Sequence, residues 1–392
     1  MRFVIVGGGV AGITAALELS SRKVGTVEVY SDEAYPYYYR PHLAEFLAGS
    51  MTIEQLLRRD LAWYQGRGID VYLERGVSRV DPPAKTITLV DGTSVPYDKL
   101  LLATGSIPAV PPLPGSDKNG VFTWRTLADT LKFEQWASSC RQVIVLGGGL
   151  LGLEAARGLL GFCDHVTVVE FFPRLLPRQL DVEGATLLQQ FVESLGIHVV
   201  VGAQAEAFLG DRAVTGLRLK DGREFPAAMV LVAAGVRSNA RLAQEAGLTV
   251  ERGIVVDDSM ATSAPDIYAA GDVAVYKGHS WGIAPIAQAQ GRVAALTMAG
   301  EESIYHEMAP STTLKVVGMD VSSVGLVTPE AEGYTEIRSL DSTARVYKKI
   351  VLHEGRIVGS IVINHNALAK DLENRIAQHE LMTPDQARAL IS

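Results

Sequence analysis

The chain has 392 residues, 47% hydrophobic and 20% charged, with a formal net charge of −8. At ~150 residues per domain this length suggests two to three domains with a sizeable core, and it argues against disorder. The acidic balance argues against non-specific nucleic-acid binding, and apolar runs such as residues 229–236 are far too short to cross a bilayer.

The first strand, FVIV at residues 3–6, begins almost at Met1 and leaves no room for a signal peptide. It runs into Gly7, Gly9 and Gly12. In this G-x-G-x-x-G spacing the first glycine permits a tight turn and the second lets the backbone approach a pyrophosphate. The third lets helix and strand pack closely. The helix N-terminus then offers unpaired N–H groups and a positive dipole end to phosphates. Val10 and Ala11, between the glycines, join the candidate binding residues. Such a unit should supply an acid to an adenosine ribose about 20 residues on. Residues 27–33, VEVYSDE, reach that place with Ser31, Asp32 and Glu33, and the sequence does not say which of them serves.

The pattern then repeats. VIVL at residues 143–146 leads into Gly147, Gly149 and Gly152, with Leu150, Leu151 and Glu154 on the helix that follows. HVTVVE ends in Glu170, 18 residues past Gly152. Gly235, after the strand MVLV, is a further candidate. Two phosphate cradles in one chain imply two dinucleotides. Residues 347–352 and 356–363 read as two apolar strands around a turn. Thr383-Pro384-Asp385-Gln386 is a capping box with proline at the first helical position. No metal motif stands out, and His365 reads as a loop histidine. Two cysteines, Cys140 and Cys163, do not make a disulfide framework and fit a reducing cytoplasm.

Two further segments, LLLATGSIPAVPPLPG at residues 100–115 and TSAPDIYAAGDVA at residues 262–274, resemble hallmark motifs of the FAD-dependent pyridine nucleotide-disulfide oxidoreductase superfamily. The resemblance covers essentially the whole chain. It implies an α/β fold of two Rossmann-like domains plus a small α+β C-terminal domain. FAD would occupy residues 1–108 and 237–308, NAD(H) the inserted residues 109–236, and the third domain residues 309–392. The FAD contacts so implied include Val77, Ala103, Thr104, Gly105, Gly271 and Asp272, the last on the ribityl hydroxyls. A helix over residues 283–300 would turn its N–H groups near Ala287 and Gln288 to the flavin pyrimidine.

YYYRPHLAEFLAGS, residues 37–50, lacks the redox cysteine that many superfamily members carry here, so no disulfide relay is expected. Its Tyr-Arg-Pro run resembles the branch with NAD(P)H:rubredoxin oxidoreductase, the flavin domain of NAD(P)H-nitrite reductase and dioxygenase ferredoxin reductases. There Arg40 and Pro41 lie against FAD. Ferredoxin reductases follow with Pro-Leu-Ser-Lys, where this chain has His42, Leu43, Ala44 and Glu45, which moves the match towards the first two. Arg125 corresponds to the family's interdomain arginine, and Lys315 to a stretch that approaches the flavin from the third domain.

The resemblance implies an NADH-dependent flavoprotein reductase that passes single electrons to a small iron protein, rubredoxin or ferredoxin-like. Two alternatives stay open: an electron-transfer component for a separate nitrite or nitrate reductase, and a regulatory NADH-sensing flavoprotein acting through partner binding. A homodimer through the third domain is one form such proteins take. Glu170 is expected to favour NADH over NADPH.

Overall fold

The computed structural model describes residues 1–307 and 311–392, with the strand Ser311–Val316 described by its backbone alone. The chain divides into two compact units. One comprises Met1–Ala109, Arg125–Ala128 and Val236–Met308, the other Val110–Trp124, Asp129–Gly235 and Ala309–Ser392.

The first unit is built on a parallel sheet with strand order Ile267–Ala269, Lys99–Leu102, Arg2–Val6, Thr26–Tyr30, Ile69–Tyr72. A parallel sheet covered on both faces needs near-continuous apolar strands, and Phe3, Val4, Ile5, Leu100, Leu101 and Leu102 are fully buried. The helices Val10–Arg22 and Ala284–Met298 pack on each other backbone to backbone. A Cβ on Gly291 would lie 2.4 Å from the Ala11 carbonyl oxygen, so only glycine allows that approach. The antiparallel strands Val77–Asp81, Thr86–Leu89 and Ser94–Pro96 form a second, smaller sheet. Ser106–Pro108 and Val236–Ser238 pair antiparallel where the chain leaves this unit and returns to it.

The second unit repeats the plan. Its parallel sheet runs Val121–Thr123, Met229–Val232, Gln142–Leu146, His165–Val169, Ile197–Val200, the same order of roles as in the first. It too carries a three-stranded antiparallel sheet, Ala205–Leu209, Gly216–Leu219 and Glu224–Pro226.

The C-terminal segment of this unit is a five-stranded antiparallel sheet in the order Ser311–Val316, Met319–Gly325, Arg356–Ile363, Val346–His353, Tyr334–Asp341. The expected hairpin is present. Glu354 and Gly355 take φ of 49° and 72°, the left-handed pair that a tight turn between twisted strands requires. Leu368, Leu372 and Ile376 of the helix Asn366–Ala377, and Ala387 and Ile391 of Pro384–Ile391, pack with Ile350, Leu352, Ile357 and Val362 in one core. Thr383 and Gln386 form the capping box, at 3.2 and 2.8 Å. His365 caps the helix Asn366–Ala377, its Nδ1 accepting from the Leu368 amide at 3.2 Å.

This segment is tied into its unit by polar contacts. The Tyr347 hydroxyl donates to Asp181 at 2.6 Å. The Lys349 ammonium, 1% exposed, lies 3.0 Å from Asp181 and 3.4 Å from Glu336. Asp181 also caps the helix Val182–Ser194 by accepting from the Gly184 amide at 3.0 Å. No described helix is long and apolar enough to cross a membrane.

Candidate functional site

Both glycine cradles form as the spacing predicts, and they form in the same way. Gly7 and Gly147 take φ of +112° and +125°. A Cβ on Gly7 would lie 2.2 Å from the Ala103 carbonyl oxygen, and one on Gly147 would lie 2.4 Å from that of Ala233. Each turn is thus pressed against the end of the neighbouring strand. A Cβ on Gly12 would lie 2.1 Å from the Gly7 carbonyl oxygen, and one on Gly152 would lie 1.9 Å from that of Gly147. The middle glycines differ: at Gly9 and Gly149 a Cβ would meet nothing within 4 Å. Their missing side chains leave open space in front of a helix end, which is what a pyrophosphate needs.

Those helix ends are also chemically open. Gly9 and Gly149 are the N-caps of Val10–Arg22 and Leu150–Leu159, and neither helix has a side-chain cap. By contrast Asp181, His365 and Thr383 cap three other helices with their side chains. The first-turn amides at the two cradles are therefore left for an anion. On this test the residues fit a dinucleotide at each.

The acids differ between the units. Glu170 follows the second strand directly and is buried, 6% exposed. Its carboxylate accepts from the Gly148 amide at 2.5 Å and the Phe172 amide at 2.8 Å. In the first unit the same place belongs to Ser31: its amide donates to Tyr72, as that of Glu170 donates to Val200. Its Oγ accepts from the Glu33 amide at 3.2 Å, and it faces Gly8 as Glu170 faces Gly148. Asp32 is exposed. Glu33 is half-buried, paired with Arg40 and accepting from the Tyr38 hydroxyl. The amides of Glu74 and Arg75 donate to the carbonyls of Glu33 and Ser31, which brings Val77 to the same rim.

The remaining flavin-motif residues of the first unit converge on Asp272. Its carboxylate accepts from Arg125 at 2.7 Å and Ser106 at 2.8 Å. Arg125 belongs to this unit, as does Leu127, whose amide donates to Tyr38 at 2.9 Å. Thr104 donates to the Asn239 carbonyl at 2.7 Å, and the Asn239 amide returns to Gly105 at 2.9 Å. Gly271, at φ +83°, passes beside Ala11 and Ala287. Arg40 and Pro41 lie in the short 3-10 turn Arg40–His42.

The helix expected over residues 283–300 spans Ala284–Met298. The expectation that its free amides lie near Ala287 and Gln288 needs correcting. The Ala287 amide closes the first turn on Ile283 at 3.0 Å, and Ala287 is buried while Gln288 is exposed. Pro285 has no N–H, so the amides left open by helix geometry are those of Ala284 and Ile286. Sequence reasoning also missed Gln290, which is 4% exposed and accepts from the Gly271 amide at 2.9 Å, fixing the Gly271-Asp272 turn.

In the second unit Glu154 accepts from the Val317 amide at 2.8 Å. Leu150 is half-buried and Leu151 is 39% exposed. Gly235 takes φ +103° with open space where a Cβ would be. Lys315 lies on Ser311–Val316, whose side chains are outside the described residues. No group of three or more potential metal ligands occurs among the described residues.

The chain is similar to known proteins over its whole length. The family model for pyridine nucleotide-disulphide oxidoreductases matches residues 1–291, and that for the rubredoxin NAD+ reductase C-terminal domain matches residues 310–380. The chain is 38% identical to an NAD(P)H nitrite reductase of Bacillus subtilis (strain 168) over 93% of its own length and 46% of that protein's, so it spans about half of that relative. It is 31% identical to an NADH-rubredoxin oxidoreductase of Clostridium acetobutylicum, covering 96% of this chain and 94% of that one. Among solved structures, the covalent putidaredoxin reductase-putidaredoxin complex matches with a TM-score of 0.88 at 26% identity, over 98% of this chain and 95% of that one. With both cradles built and both family models matched, the chain belongs to the pyridine nucleotide-disulphide oxidoreductase family.

Proposed function

We propose that this protein is an NADH-oxidising flavoprotein reductase that delivers electrons one at a time to a small iron protein of the rubredoxin or ferredoxin kind. FAD belongs to residues 1–108 and 237–308, NADH to residues 109–236, and residues 309–392 form a third domain. The observation that carries this reading is the pair of matched cradles, each with an open middle glycine and an uncapped helix behind it. Bound FAD supplies the conversion of a two-electron donor into a one-electron source.

The chain's own residues bind and orient. Gly7, Gly9 and Gly12 shape the turn that receives the FAD pyrophosphate. Asp272, held by Arg125 and Ser106, offers a carboxylate to the ribityl hydroxyls. The open amides of Ala284 and Ile286 favour negative charge at the flavin pyrimidine. Glu170 takes the ribose hydroxyls of NADH. Residues 37–50 hold no cysteine, and Cys140 and Cys163 lie elsewhere, so this path needs no thiol relay. Positioning of the two cofactors is the chain's main contribution.

A second reading, a flavin electron-transfer part serving a nitrite reductase, is favoured by the 38% identity to such a protein. Stopped-flow oxidation of the NADH-reduced protein by a panel of carriers separates the two. Fast oxidation by rubredoxin or ferredoxin, well ahead of dioxygen, is expected. Fast oxidation only by a nitrite reductase partner would favour the second reading.

A further inference from the structure

The two cysteines take no part in anything described above, yet the fold brings them together. Cys140 and Cys163 are both buried, at 6% and 7% exposed. Each stands two residues ahead of a strand residue, Gln142 and His165, and those two are register partners in adjacent parallel strands. The register continues back past the strand ends. The His165 amide donates to the Arg141 carbonyl at 2.9 Å, and the Arg141 guanidinium meets the Asp164 carboxylate at 2.7 Å. The next pair back is Cys140 and Cys163.

The sulfurs also turn to one place. Cys140 Sγ lies 3.3 Å from the Trp136 carbonyl oxygen and Cys163 Sγ 3.6 Å from that of Ala137, at the end of the helix Leu127–Ala137. The Ala137 carbonyl is the one that accepts the Cys140 amide, at 2.9 Å. Neighbouring strands run ~4.8 Å apart and a disulfide joins Cα atoms ~4.4–6.8 Å apart, so the strand spacing next to this position falls within the span of a disulfide.

We propose that Cys140 and Cys163 form a reversible intramolecular disulfide, a redox staple at the base of the second nucleotide-binding sheet. With hydrogen peroxide as oxidant, the two S–H bonds and the O–O bond break and one S–S bond forms. The thiols give up two electrons and two protons, and the peroxide leaves as two molecules of water. The ring so closed contains Gly147, Gly149 and Gly152, so the staple stabilises the cradle by restricting the unfolded chain. Burial, and then the neighbouring Cys140 sulfur, push the Cys163 thiol up to about 11, and burial raises Cys140 as well. Thiolate is therefore scarce at neutral pH, and bridging is slow at pH 7 and faster towards pH 9.

The test uses the full-length purified protein, treated with hydrogen peroxide at pH 7 and pH 9. Thiols are counted after denaturation, and non-reduced tryptic peptides are weighed. Expected is a fall from two thiols to none and a peptide joining residues 133–141 to residues 158–174. Bridging should also be faster at pH 9, the melting temperature higher by roughly 5 °C, and every change reversed by dithiothreitol. Cys163→Ser should give no joined peptide. Two thiols surviving at pH 9, sulfinic acids in place of the joined peptide, or a bridge only between chains would each overturn the proposal.

Discussion

The Glu170 carboxylate is fixed by two backbone N–H groups before any ligand arrives, with the Gly148 and Phe172 amides at 2.5 and 2.8 Å. A group so held cannot swing aside to admit the 2′-phosphate of NADPH. Two negative groups ~4 Å apart at an effective dielectric of ~20 repel by about 4 kcal/mol, and solvent reduces this. The loop's arginines offer little rescue. Arg174 donates to the Leu180 and Pro177 carbonyls, each at 3.0 Å, so its guanidinium is engaged within the loop. Arg178 is exposed. A preference for NADH of at least about tenfold in kcat/KM, ~1.4 kcal/mol, is expected. Glu170→Gln removes the charge and keeps an acceptor for only one of the two amides, so it should narrow the gap while costing about 1–3 kcal/mol in stability. Equal use of both cofactors by the wild type, or an unchanged gap in the variant, would show that another residue discriminates.

At the scale of the strand–turn–helix element, the three glycines of each cradle have separable jobs. Gly12→Ala and Gly152→Ala would drive a methyl group into a backbone carbonyl, and each should destabilise the fold by several kcal/mol. Gly9→Ala and Gly149→Ala meet open space, so both should fold with near-native melting temperatures. Their methyl groups would stand where a pyrophosphate is to lie. Gly9→Ala should lose FAD on dialysis, and Gly149→Ala should keep FAD but raise the KM for NADH at least tenfold. Full FAD retention by Gly9→Ala would dissociate this turn from flavin binding. These elements were legible in the sequence because glycine spacing and strand hydrophobicity are local signals, as were the hairpin turn at Glu354-Gly355 and the cap at Thr383. The contacts that finish the site were not. Gln290 reaches Gly271 across 19 residues, and Ser31, Asp32 and Glu33 differ in role only through what packs beside them. The amide register of the helix Ala284–Met298 depends on where its first turn closes, which composition does not reveal.

At the scale of the whole molecule, the C-terminal sheet belongs to the same compact unit as the second cradle, an affiliation carried by residues far apart in sequence. Lys349, within an apolar strand pattern, gave no sign that it would be among the most buried side chains. Its partner Asp181 has two other ties, the Tyr347 hydroxyl and the Gly184 amide. Asp181→Ala would leave the buried ammonium with Glu336 alone, at 3.4 Å, and should cost about 3 kcal/mol. Lys349→Met leaves the buried Asp181 carboxylate two hydrogen-bond donors but no counter-charge, so it should also cost about 3 kcal/mol.

The same cluster sets a pH dependence. Burial alone would raise the Asp181 carboxyl, but the hydrogen bonds from Tyr347, Gly184 and Lys349 outweigh it and hold the group below the ordinary carboxylate range. A depressed folded-state value means the stabilisation is fully present above the unfolded value of ~3.9 and is lost as pH falls through the folded one. The melting temperature of the wild type should therefore be insensitive to this group between about pH 5 and 8 and fall below about pH 4. Asp181→Asn has no proton to take up at this position, so it should start lower at pH 6 and lose less on acidification to pH 3. Calorimetric scans of the two proteins across that range should converge towards acid. Parallel curves would mean that folding leaves the Asp181 carboxyl unshifted, so that it contributes no pH-dependent stability.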